Sequence, residues 1–508
     1  MNRTKYKNPV LRGFHPDPSV CRVGKDYYLV TSSFEYFPGI PIFHSRDLVN
    51  WKQIGNCCSQ SEHYPLEQVK DSGGIWAPSI RYAKGRFYVT ATLEKYGNFI
   101  ISSTDPAGEW SDPVWVNVGG IDPSLYFEGE RAYYCTNATL HPGTEEITLS
   151  EINPDTGELL TPLQTIWTGI GGGFMEAPHI YYVDGWYYLM TAEGGTNFNH
   201  MITMARSRSV WGPFESCPNN PILTNAHDTS KQVQCSGHGD LIEDHNGNWW
   251  IFHLATRLSR RTMTHLGRET FLTPVSWKEG WLKVENRRKA MLEEEGPLWV
   301  QQVTETEWSA DFTRKEWEPE WIFLRNPQKE KYSRENGKLH IYPSLISLEE
   351  QKNPSFAAVR QPDFDCVIEA EYEFEPKMIG DEAGIAVLLS GDFHYRFGKV
   401  KTAEGDFLIL ERRVEDICHR DCQIPLQNDP LKLRILADKE KYYFEYVSEE
   451  GMYQTAAAAS TRFLSCELAG KCFTGTVIGL YTLCVHETTA VMEISDFRYR
   501  TTSGERNS

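Results

Sequence analysis

The sequence predicts an all-β protein in which a five-bladed β-propeller is followed by a β-sandwich. The first observation is a short pattern that occurs five times in the first half of the chain. Its copies are Asp17-Pro18-Ser19, Ala77-Pro78-Ser79, Asp122-Pro123-Ser124, Ala177-Pro178-His179 and His238-Gly239-Asp240. Successive copies lie 45 to 61 residues apart, and an aromatic residue follows the central Pro or Gly of each copy by ten positions. A repeat of this length is typical of propeller blades.

The second observation is that short strand-like runs, separated by turn residues, follow each copy. In the first repeat they span residues 26–33 and 40–51, and in the fourth 186–193 and 202–213. β-Branched and aromatic residues are frequent in these runs, as expected of strands. Five such units around one axis would bring the five copies of the pattern together at one end.

The third observation is a change of pattern beyond a polar, acidic stretch at 305–320, which we interpret as a linker. Between residues 368 and 375, apolar side chains alternate with glutamates, as in a strand that is buried on one face. Further short apolar runs continue to residue 483. We therefore expect two domains: a propeller over 1–305 and a β-sandwich over 306–508.

The charge of the chain narrows the classes of partner. Its formal net charge is −18, which argues against nucleic acid, an anionic membrane surface or a polyanionic substrate. A neutral ligand fits this charge better. Aromatic residues make up 13% of the chain. Most are expected in the cores of the sheets, and exposed ones would suit the apolar faces of sugar rings.

The N-terminus and the cysteines indicate a cytoplasmic protein. No apolar segment of the kind found in signal peptides follows the basic N-terminal residues, and no run of 18 apolar residues is present that would span a membrane. Twelve cysteines, mostly in apolar runs, fit a reducing compartment. The tightest cluster, Cys418 and Cys422 around His419, lacks zinc-site spacing. The sequence leaves open whether the chain forms a homo-oligomer.

Three acidic residues, Asp17, Asp122 and Glu176, lie at the heads of different repeats. Taken singly, an acidic residue at such a turn is better explained as a turn cap. Three of them at equivalent ends of different blades favour acid–base chemistry. Hydrolysis of a glycosidic bond needs one carboxyl group to protonate the leaving oxygen and a second to attack the carbon or activate water. A third carboxylate, here Asp122, would raise the pKa of the acid.

His238 occupies the position of Asp17 in the fifth repeat. It is a candidate for contacting substrate, for tuning the acid or for binding a cation in the central channel. A purely structural role is the alternative.

Aromatic and basic residues near the heads of the repeats are candidates for binding substrate. Trp76 directly precedes the second copy of the pattern, and Phe34 and Phe37 lie on the connecting loop of the first blade. These rings would stack on a sugar or wall a small pocket, with strand packing as the alternative. Arg268 is a candidate donor of a fork of hydrogen bonds to sugar hydroxyls, although an ion pair with Glu269 on a sheet surface would explain it equally well.

Together these motifs resemble those of glycoside hydrolase family 43. The matching segments are Gly13-Phe14-His15-Pro16-Asp17-Pro18-Ser19, Ser72-Gly73-Gly74-Ile75-Trp76-Ala77-Pro78, Gly120-Ile121-Asp122-Pro123-Ser124, Met175-Glu176-Ala177-Pro178-His179, Thr191-Ala192-Glu193-Gly194-Gly195-Thr196, Gly237-His238-Gly239-Asp240 and Leu266-Gly267-Arg268-Glu269-Thr270. The resemblance covers residues 8–300 and is strongest to the two-domain β-xylosidases and α-L-arabinofuranosidases. It implies that a concanavalin-like sandwich follows the propeller, here over residues 310–502.

The resemblance implies an inverting mechanism. In it Asp17 would be the general base, Glu176 the general acid, and Asp122 the residue that tunes the acid and orients the sugar. The remaining subsite positions would be Phe34, Trp76, His238 and Arg268. No cofactor is required for the chemistry, but some members hold calcium in the central channel, which makes His238 a tentative metal ligand as well.

We therefore expect an exo-acting glycosidase that releases D-xylose from the non-reducing ends of β-1,4-xylo-oligosaccharides. An α-L-arabinofuranosidase, or an enzyme with both activities, is the alternative. The chain departs from the pattern of many β-xylosidases at Ala177 and Gly239, and this leaves the choice of pentose open. A non-catalytic carbohydrate-binding propeller would be expected to have lost one of the three carboxylates.

The second domain is expected to help close the substrate pocket. A pocket for one terminal residue must be closed on one side, whereas a propeller face is an open groove. The segment 471–475 carries Phe473 between turn-forming residues ahead of a strand. We predict that Phe473 closes the pocket, with packing in the sandwich core as the alternative.

Overall fold

The protein is all-β, as predicted. The structure, a computed structural model, describes residues 3–228, 230–260, 262–284, 288–303, 306–426, 430–470 and 472–502. Helical structure in these residues is confined to short turns: 3₁₀ turns at Ser61–His63, Lys329–Lys331 and Thr461–Leu464, and α1 at Cys466–Ala469. Among the described residues, no helix is long and apolar enough to cross a membrane.

The first half of the chain forms the five predicted blades. Its strands are β1 (Thr4–Lys7), β2 (Ser19–Val23), β3 (Asp26–Val30), β4 (Tyr36–Phe37), β5 (Gly39–Ser45), β6 (Lys52–Cys58), β7 (Ile75–Ala83), β8 (Arg86–Leu93), β9 (Gly97–Ser103), β10 (Val114–Val116), β11 (Ile121–Glu128), β12 (Arg131–Asn137), β13 (Ile147–Asn153), β14 (Glu158–Leu159), β15 (Gln164–Trp167), β16 (Glu176–Val183), β17 (Trp186–Glu193), β18 (Met201–Ser207), β19 (Glu215–Ser216), β20 (Leu223–Thr224), β21 (Val233–Glu243), β22 (Trp249–Arg257), β23 (Arg268–Lys278), β24 (Trp281–Val284) and β25 (Glu293–Gly296).

Each blade is an antiparallel sheet built from one contiguous stretch of chain. The sheets have the strand orders β2-β3-β5-β6, β7-β8-β9-β10, β11-β12-β13-β14 with β15 on β13, β16-β17-β18-β19 with β20 on β18, and β21-β22-β23-β24. The first strand of each blade contacts the first strands of the two neighbouring blades, so these five strands surround the axis. The heads of the repeats therefore converge.

The five repeat heads share an unusual backbone conformation. Asp17, Ala77, Asp122, Ala177 and His238 all have left-handed φ angles, between 43° and 55°. In blades two to five the strand pairing shifts register at this point. Non-glycine residues adopt this conformation at a cost of roughly 1–3 kcal/mol, and only where the surrounding structure enforces it. The kink turns the side chains at the start of each inner strand toward the axis.

The N-terminal segment closes the ring by running along the fifth blade. Strand β1 pairs with β25, and the side chain of Asn8 is buried between these strands and the blade. Its amide nitrogen donates to the backbone oxygens of Leu272 and Met291 at 2.9 and 3.0 Å, and its oxygen accepts from the N–H of Leu272 at 2.9 Å. Asn8 thus satisfies backbone groups of β23 and of the segment that precedes β25.

The second half of the chain forms a sandwich of two antiparallel sheets. Its strands are β26 (Glu307–Ser309), β27 (Ile322–Leu324), β28 (Tyr332–Glu335), β29 (Lys338–Ile341), β30 (Ser355–Arg360), β31 (Cys366–Phe374), β32 (Glu382–Ser390), β33 (Phe393–Thr402), β34 (Gly405–Val414), β35 (Ile417–Pro425), β36 (Leu431–Ala437), β37 (Lys441–Val447), β38 (Tyr453–Ser460), β39 (Val477–Leu483) and β40 (Met492–Thr501). One sheet has the order β28-β29-β40-β31-β36-β37-β38, with β26 on β40, and the other β35-β34-β33-β32-β39-β30-β27.

The alternating pattern at 368–375 behaves as predicted. Ile368, Ala370, Tyr372 and Phe374 of β31 are buried in the core between the two sheets.

The stretch at 305–320 differs from the predicted linker, because β26 pairs with β40 and Phe312 is buried in the sandwich core. Its apolar residues find partners in the second domain despite the polar composition around them. The predicted domain boundary at Glu305 lies outside the described residues.

The two domains share a sheet. Strand β4, on the connecting loop of the first blade, pairs with β27 and extends the second sheet of the sandwich. Phe14, Phe34 and Tyr36 of the propeller pack in one apolar cluster with sandwich residues that include Phe356 and Tyr481. Phe37, predicted to wall a pocket, is instead buried in the apolar core of the first two blades. The connecting loop of the first blade is therefore anchored in both domains.

Candidate active site

Asp17 is buried at the head of the first blade and accepts two hydrogen bonds. Ser32 Oγ donates to its Oδ2 at 2.6 Å, and Arg268 Nη1 donates to its Oδ1 at 2.9 Å. The N–H of Ala77 donates to Ser32 Oγ at 2.7 Å, which ties the first blade to the second. Burial alone would raise the pKa of Asp17, but Arg268, His238 and the Ser32 hydroxyl outweigh it and hold that pKa below its ordinary value. Asp17 is therefore ionised at neutral pH.

Arg268, the first residue of β23, connects Asp17 with the sandwich. Nη1 also donates to Thr196 Oγ1 at 3.1 Å, while Nε and Nη2 donate to the backbone oxygen of Phe473 at 3.3 and 3.1 Å. These contacts and the bond to Asp17 use four of the five guanidinium N–H groups. Arg268 thus acts mainly on the position and charge of Asp17, and it retains one N–H for a ligand rather than the free fork that we predicted.

Glu176 opens β16, and Asp122 lies at the head of the neighbouring third blade. The N–H of Ala177 donates to Asp122 Oδ2 at 3.2 Å, which holds the two acidic residues together. Burial and the charge of Asp17 raise the pKa of Glu176 to about 7. Burial, Glu176 and Asp17 raise the pKa of Asp122 well above its ordinary value. Because both carboxyls resist ionisation, the pair holds a proton near neutral pH, and its apparent pKa values belong to the pair.

The backbone before Glu176 is shaped by two further carboxylates. The glycine-rich segment 169–173 wraps around Glu193, whose carboxylate accepts the N–H of Gly172 at 2.8 Å. A Cβ on Gly172 would lie only 3.0 Å from the Glu193 side chain, so a larger residue here would have to displace Glu193. Glu145 accepts the two N–H groups directly before Glu176 at 2.9 and 3.3 Å. These contacts fix where the Glu176 carboxyl enters the site.

His238 lies between two of the three carboxyls. Its Nδ1 is 3.5 Å from Asp17 Oδ1 and 3.9 Å from Asp122 Oδ2, which are long for hydrogen bonds. Burial lowers its pKa despite the charge of Asp17, so the imidazole is neutral at neutral pH. The preceding Gly237 packs on the ring of His200, where a Cβ would lie 2.4 Å away. His238 is thus held rigidly and can exchange hydrogen bonds with a ligand.

The predicted aromatic residues gather on the side of the site that faces the sandwich. The rings of Phe34 and Phe473 lie 6.1 Å apart, and the Arg268 guanidinium lies 5.5 Å from each. Phe34 is buried, whereas Trp76 and Phe473 are partly exposed. Ser72 joins the latter two: Trp76 Nε1 donates to its backbone oxygen at 3.2 Å, and the N–H of Phe473 donates to its Oγ at 2.9 Å. In the predicted closing loop, Lys471 lies outside the described residues.

The central channel below the site holds a buried ion pair between Arg81 and Asp240. Arg81 binds Asp240 through two hydrogen bonds of 2.8 and 3.0 Å, and Ser19 and Tyr181 donate to the same carboxylate at 2.6 and 2.5 Å. Calcium prefers six to eight oxygen ligands. Among the described residues, no group of three or more His, Cys, Asp or Glu side chains could hold a metal ion. The donor set around His238 therefore does not fit calcium, and we derive no step through one.

Several residues that position the site were not predicted as site residues. Ser32 and Thr196 hold Asp17 and Arg268, and Glu193 shapes the loop before Glu176. Thr196 and Glu193 belong to one of the segments that resemble the family, so the signal was present without a role attached to it. Ser32 lies in an ordinary strand-like run, and its role follows only from the fold.

Comparison with known proteins matches both domains. Residues 6–282 match the model of glycosyl hydrolases family 43, and residues 309–500 match that of the β-xylosidase C-terminal concanavalin A-like domain. The chain belongs to glycoside hydrolase family 43. It is an enzyme of the xylosidase and arabinofuranosidase group within that family.

Relatives in family 43 match the chain over nearly its whole length. The non-reducing end α-L-arabinofuranosidase of Bacteroides ovatus is 36% identical over 94% of this chain and 91% of its own. The β-xylosidase of Bacillus subtilis is 30% identical over 97% and 99% of the two chains. The crystal structure of a xylan β-1,4-xylosidase from Bacillus halodurans superposes with a TM-score of 0.91 at 30% identity, over 97% of this chain and 99% of the other. The concanavalin-like second domain is thereby confirmed.

Proposed function

We propose that this family 43 enzyme is an exo-acting, inverting glycosidase that releases D-xylose from the non-reducing ends of short β-1,4-xylo-oligosaccharides. The observation that carries this proposal is the division of the buried carboxyls into two kinds. The pKa of Asp17 is lowered, whereas that of Glu176 is raised to about 7. At neutral pH the site therefore holds a base and an acid at once, as glycoside hydrolysis requires.

In the proposed reaction, Asp17 removes a proton from a water molecule as its oxygen attacks the anomeric carbon. Glu176 gives its proton to the glycosidic oxygen as the bond between that oxygen and the anomeric carbon breaks. One water molecule is consumed, and the new hydroxyl lies on the opposite face of the sugar. The next substrate can bind productively after the proton taken by Asp17 has left and Glu176 has been reprotonated.

Attack on the terminal residue is supported by the closure of the site from the sandwich side. Phe473 lies next to Phe34 and is bonded through its backbone to Arg268 and to Ser72. These bonds join the closing loop to the residues that hold Asp17. Because the loop that carries Phe473 is held next to Asp17, it limits the space beyond the terminal sugar. This limit favours release of single sugars over cleavage within a chain.

An α-L-arabinofuranosidase is the second candidate. It is favoured by the name of the Bacteroides ovatus relative, which matches 94% of this chain at 36% identity. The relatives from Butyrivibrio fibrisolvens and Humicola insolens are named for both activities. The same carboxyls would serve either substrate, so the choice rests on the shape of the pocket.

The proposal is tested by measuring kcat/KM on p-nitrophenyl β-D-xylopyranoside, p-nitrophenyl α-L-arabinofuranoside and xylobiose with one preparation. A preference for the xyloside together with cleavage of xylobiose supports the first candidate, and the reverse preference supports the second. The Glu176→Gln variant serves as control for a contaminating activity, because it should cleave xylobiose far more slowly. Absence of activity on all three substrates in folded protein would refute both candidates.

A further inference from the structure

A second cavity lies between the two domains, lined by residues of both. It has a volume of about 300 Å³ and is lined from the propeller by residues that include His15, Phe43 and Trp51, and from the sandwich by Trp308, Arg360 and Tyr499. None of the predicted catalytic or substrate-binding residues lines it. It is thus separate from the site described above.

Arg360 is an unusual residue for its position. In β30, Phe356 and Ala358 face the propeller and pack in the apolar interdomain cluster, whereas Ala357 and Val359 face the core of the sandwich. The alternation of a strand places Arg360 on the propeller side. It is only 7% exposed, and its guanidinium lies 5.4 Å from the centre of the Phe14 ring. The charged side chain of Arg360 therefore lies on the same face of β30 as the apolar residues Phe356 and Ala358.

Two other buried arginines among the described residues have the partner that Arg360 lacks. Arg268 is bonded to Asp17 at 2.9 Å, and Arg325 to Asp71 at 2.8 Å. At Arg360, by contrast, Nε and Nη2 are buried without a hydrogen-bond partner among the described residues. A guanidinium group cannot be neutralised by losing its proton at physiological pH. Its charge therefore has to be compensated by a partner.

The described surroundings of Arg360 offer polar atoms, but none of their carboxylates is bonded to it. His15 Nδ1 and Tyr36 Oη are also buried without partners among the described residues. Burial lowers the pKa of Arg360 to about 10, and the opposing influence comes from Tyr36 rather than from an acid. The nearest acidic group along the chain, Asp363, is bonded to Arg12 at 2.8 Å and to Arg257 at 3.0 Å.

We propose that this cavity binds a small sugar derivative that carries an oxyanion, a carboxylate or a phosphate, and that Arg360 is the group that recognises the anion. A guanidinium group pairs with either oxyanion through two parallel hydrogen bonds. The aromatic side chains that line the cavity suit the apolar face of a sugar ring, and the volume is that of a small-ligand site. Arg12, which is paired with Asp363, and the exposed Lys52 also line the cavity and add positive charge to its wall.

The acidic residues on the cavity wall limit where the anion can sit. Glu307 and Glu320 also line the cavity, and an anion beside them would be repelled. The bound oxyanion is therefore expected at the end formed by His15, Phe43 and Arg360, where the His15 and Phe43 rings meet edge to face at 5.1 Å. Because the chain has a net charge of −18, most of its surface is expected to repel anions, and this end of the cavity would differ from it.

Isothermal titration calorimetry on the full-length protein tests the proposal, with glucuronate, glucose 6-phosphate, inorganic phosphate and neutral xylose as probes at up to about 10 mM. We expect at least one of the anions to bind, and Arg360→Gln to weaken that binding roughly tenfold or more. Binding of glucuronate alone identifies a carboxylate site, and binding of either phosphate without glucuronate a phosphate site. Xylose controls for occupation of the catalytic pocket.

Two further variants keep the test decisive. Lys52→Glu reverses an exposed charge on the cavity wall and should weaken anion binding even if Arg360→Gln fails to fold. Arg86→Gln, which removes a surface arginine paired with Asp155, should bind the anion as the native protein does. The proposal is overturned if no anion binds to the folded native protein, or if both cavity variants bind it as tightly as Arg86→Gln does.

Discussion

Arg268 donates two hydrogen bonds to the backbone oxygen of Phe473, from Nε at 3.3 Å and from Nη2 at 3.1 Å. The same guanidinium binds the carboxylate of Asp17 at 2.9 Å. The predicted catalytic base is thus tied through one side chain to a loop that lies 456 residues further along the chain. The sandwich domain therefore contributes directly to the site through Phe473.

Replacement of Phe473 by alanine should affect substrate binding more than folding. The backbone bonds to Arg268 and Ser72 remain, whereas the ring beside Phe34 is lost. We expect KM for xylobiose to rise roughly tenfold, equivalent to about 1.4 kcal/mol, with a smaller effect on kcat. Steady-state kinetics and a thermal unfolding curve measure both effects.

The matched control is Phe463→Ala, which removes a partly buried ring that packs against the sandwich core. This variant should lower the melting temperature and leave KM unchanged. Equal KM values in the native protein and in Phe473→Ala would show that the ring does not close the pocket.

Removal of either member of the proposed catalytic pair should lower kcat by several orders of magnitude. Asp17→Ala removes the proposed base, and Glu176→Ala removes the proposed acid. The Glu176 variant should lose less activity on p-nitrophenyl substrates than on xylobiose, because nitrophenolate leaves with little protonation. Glu130→Gln, at a carboxyl whose side chain is 94% exposed, serves as control and should retain native activity. Near-native turnover of xylobiose by either alanine variant would contradict the assignment.

The pH dependence follows from the shifted pKa values. Glu176 must be protonated to act as acid, and its pKa is raised to about 7. Therefore kcat/KM should fall as the pH rises through about 7. Asp17 must be ionised, and because its pKa is lowered, activity should fall on the acidic side only below the ordinary range of an aspartate. A pH profile of kcat/KM on xylobiose measures both limbs.

The alkaline limb can be assigned with the Glu176→Gln variant. Its residual activity on p-nitrophenyl β-D-xylopyranoside should no longer fall near pH 7, because the titrating group is gone. If the same limb persists in this variant, another group controls it.

The stereochemistry of the product tests the proposed roles directly. If Asp17 activates a water molecule, a β-xyloside should release the α anomer first. Proton NMR during the first minutes of the reaction distinguishes the anomers before mutarotation mixes them. Early release of the β anomer would instead make Asp17 a nucleophile that forms a covalent intermediate.

Removal of metal ions should leave the activity unchanged. Among the described residues, the donors around His238 do not form the set of oxygen ligands that calcium prefers, and Asp240 in the channel is already paired with Arg81. Exhaustive dialysis against EDTA, followed by elemental analysis and an assay with and without added Ca²⁺, checks this expectation. Loss of activity on chelation and its recovery with Ca²⁺ would show that His238 helps to hold a cation after all.

Prediction from sequence worked where the information is local and repeated. The spacing of the five patterns and the strand-like runs between them indicated the blades, and the equivalent backbone angles of Asp17, Ala77, Asp122, Ala177 and His238 reflect that repetition. The approach of Asp122 and Glu176 follows from the same symmetry. The linker prediction at 305–320 was wrong, because polar composition concealed a strand whose partner, β40, lies at the far end of the chain.

By itself, the sequence determined the fold class with its propeller and sandwich, and it singled out three candidate carboxyls, because alternation, turn residues and repeat spacing act over a few residues or recur at regular intervals. Only the tertiary structure decided which carboxyl is ionised and which is protonated. Those pKa shifts depend on burial and on charges contributed by distant segments, such as Arg268 beside Asp17. The bond from Arg268 to Phe473 and the pairing of β4 with β27 were likewise decided by packing between the domains. Such packing produces no repeating pattern in the sequence.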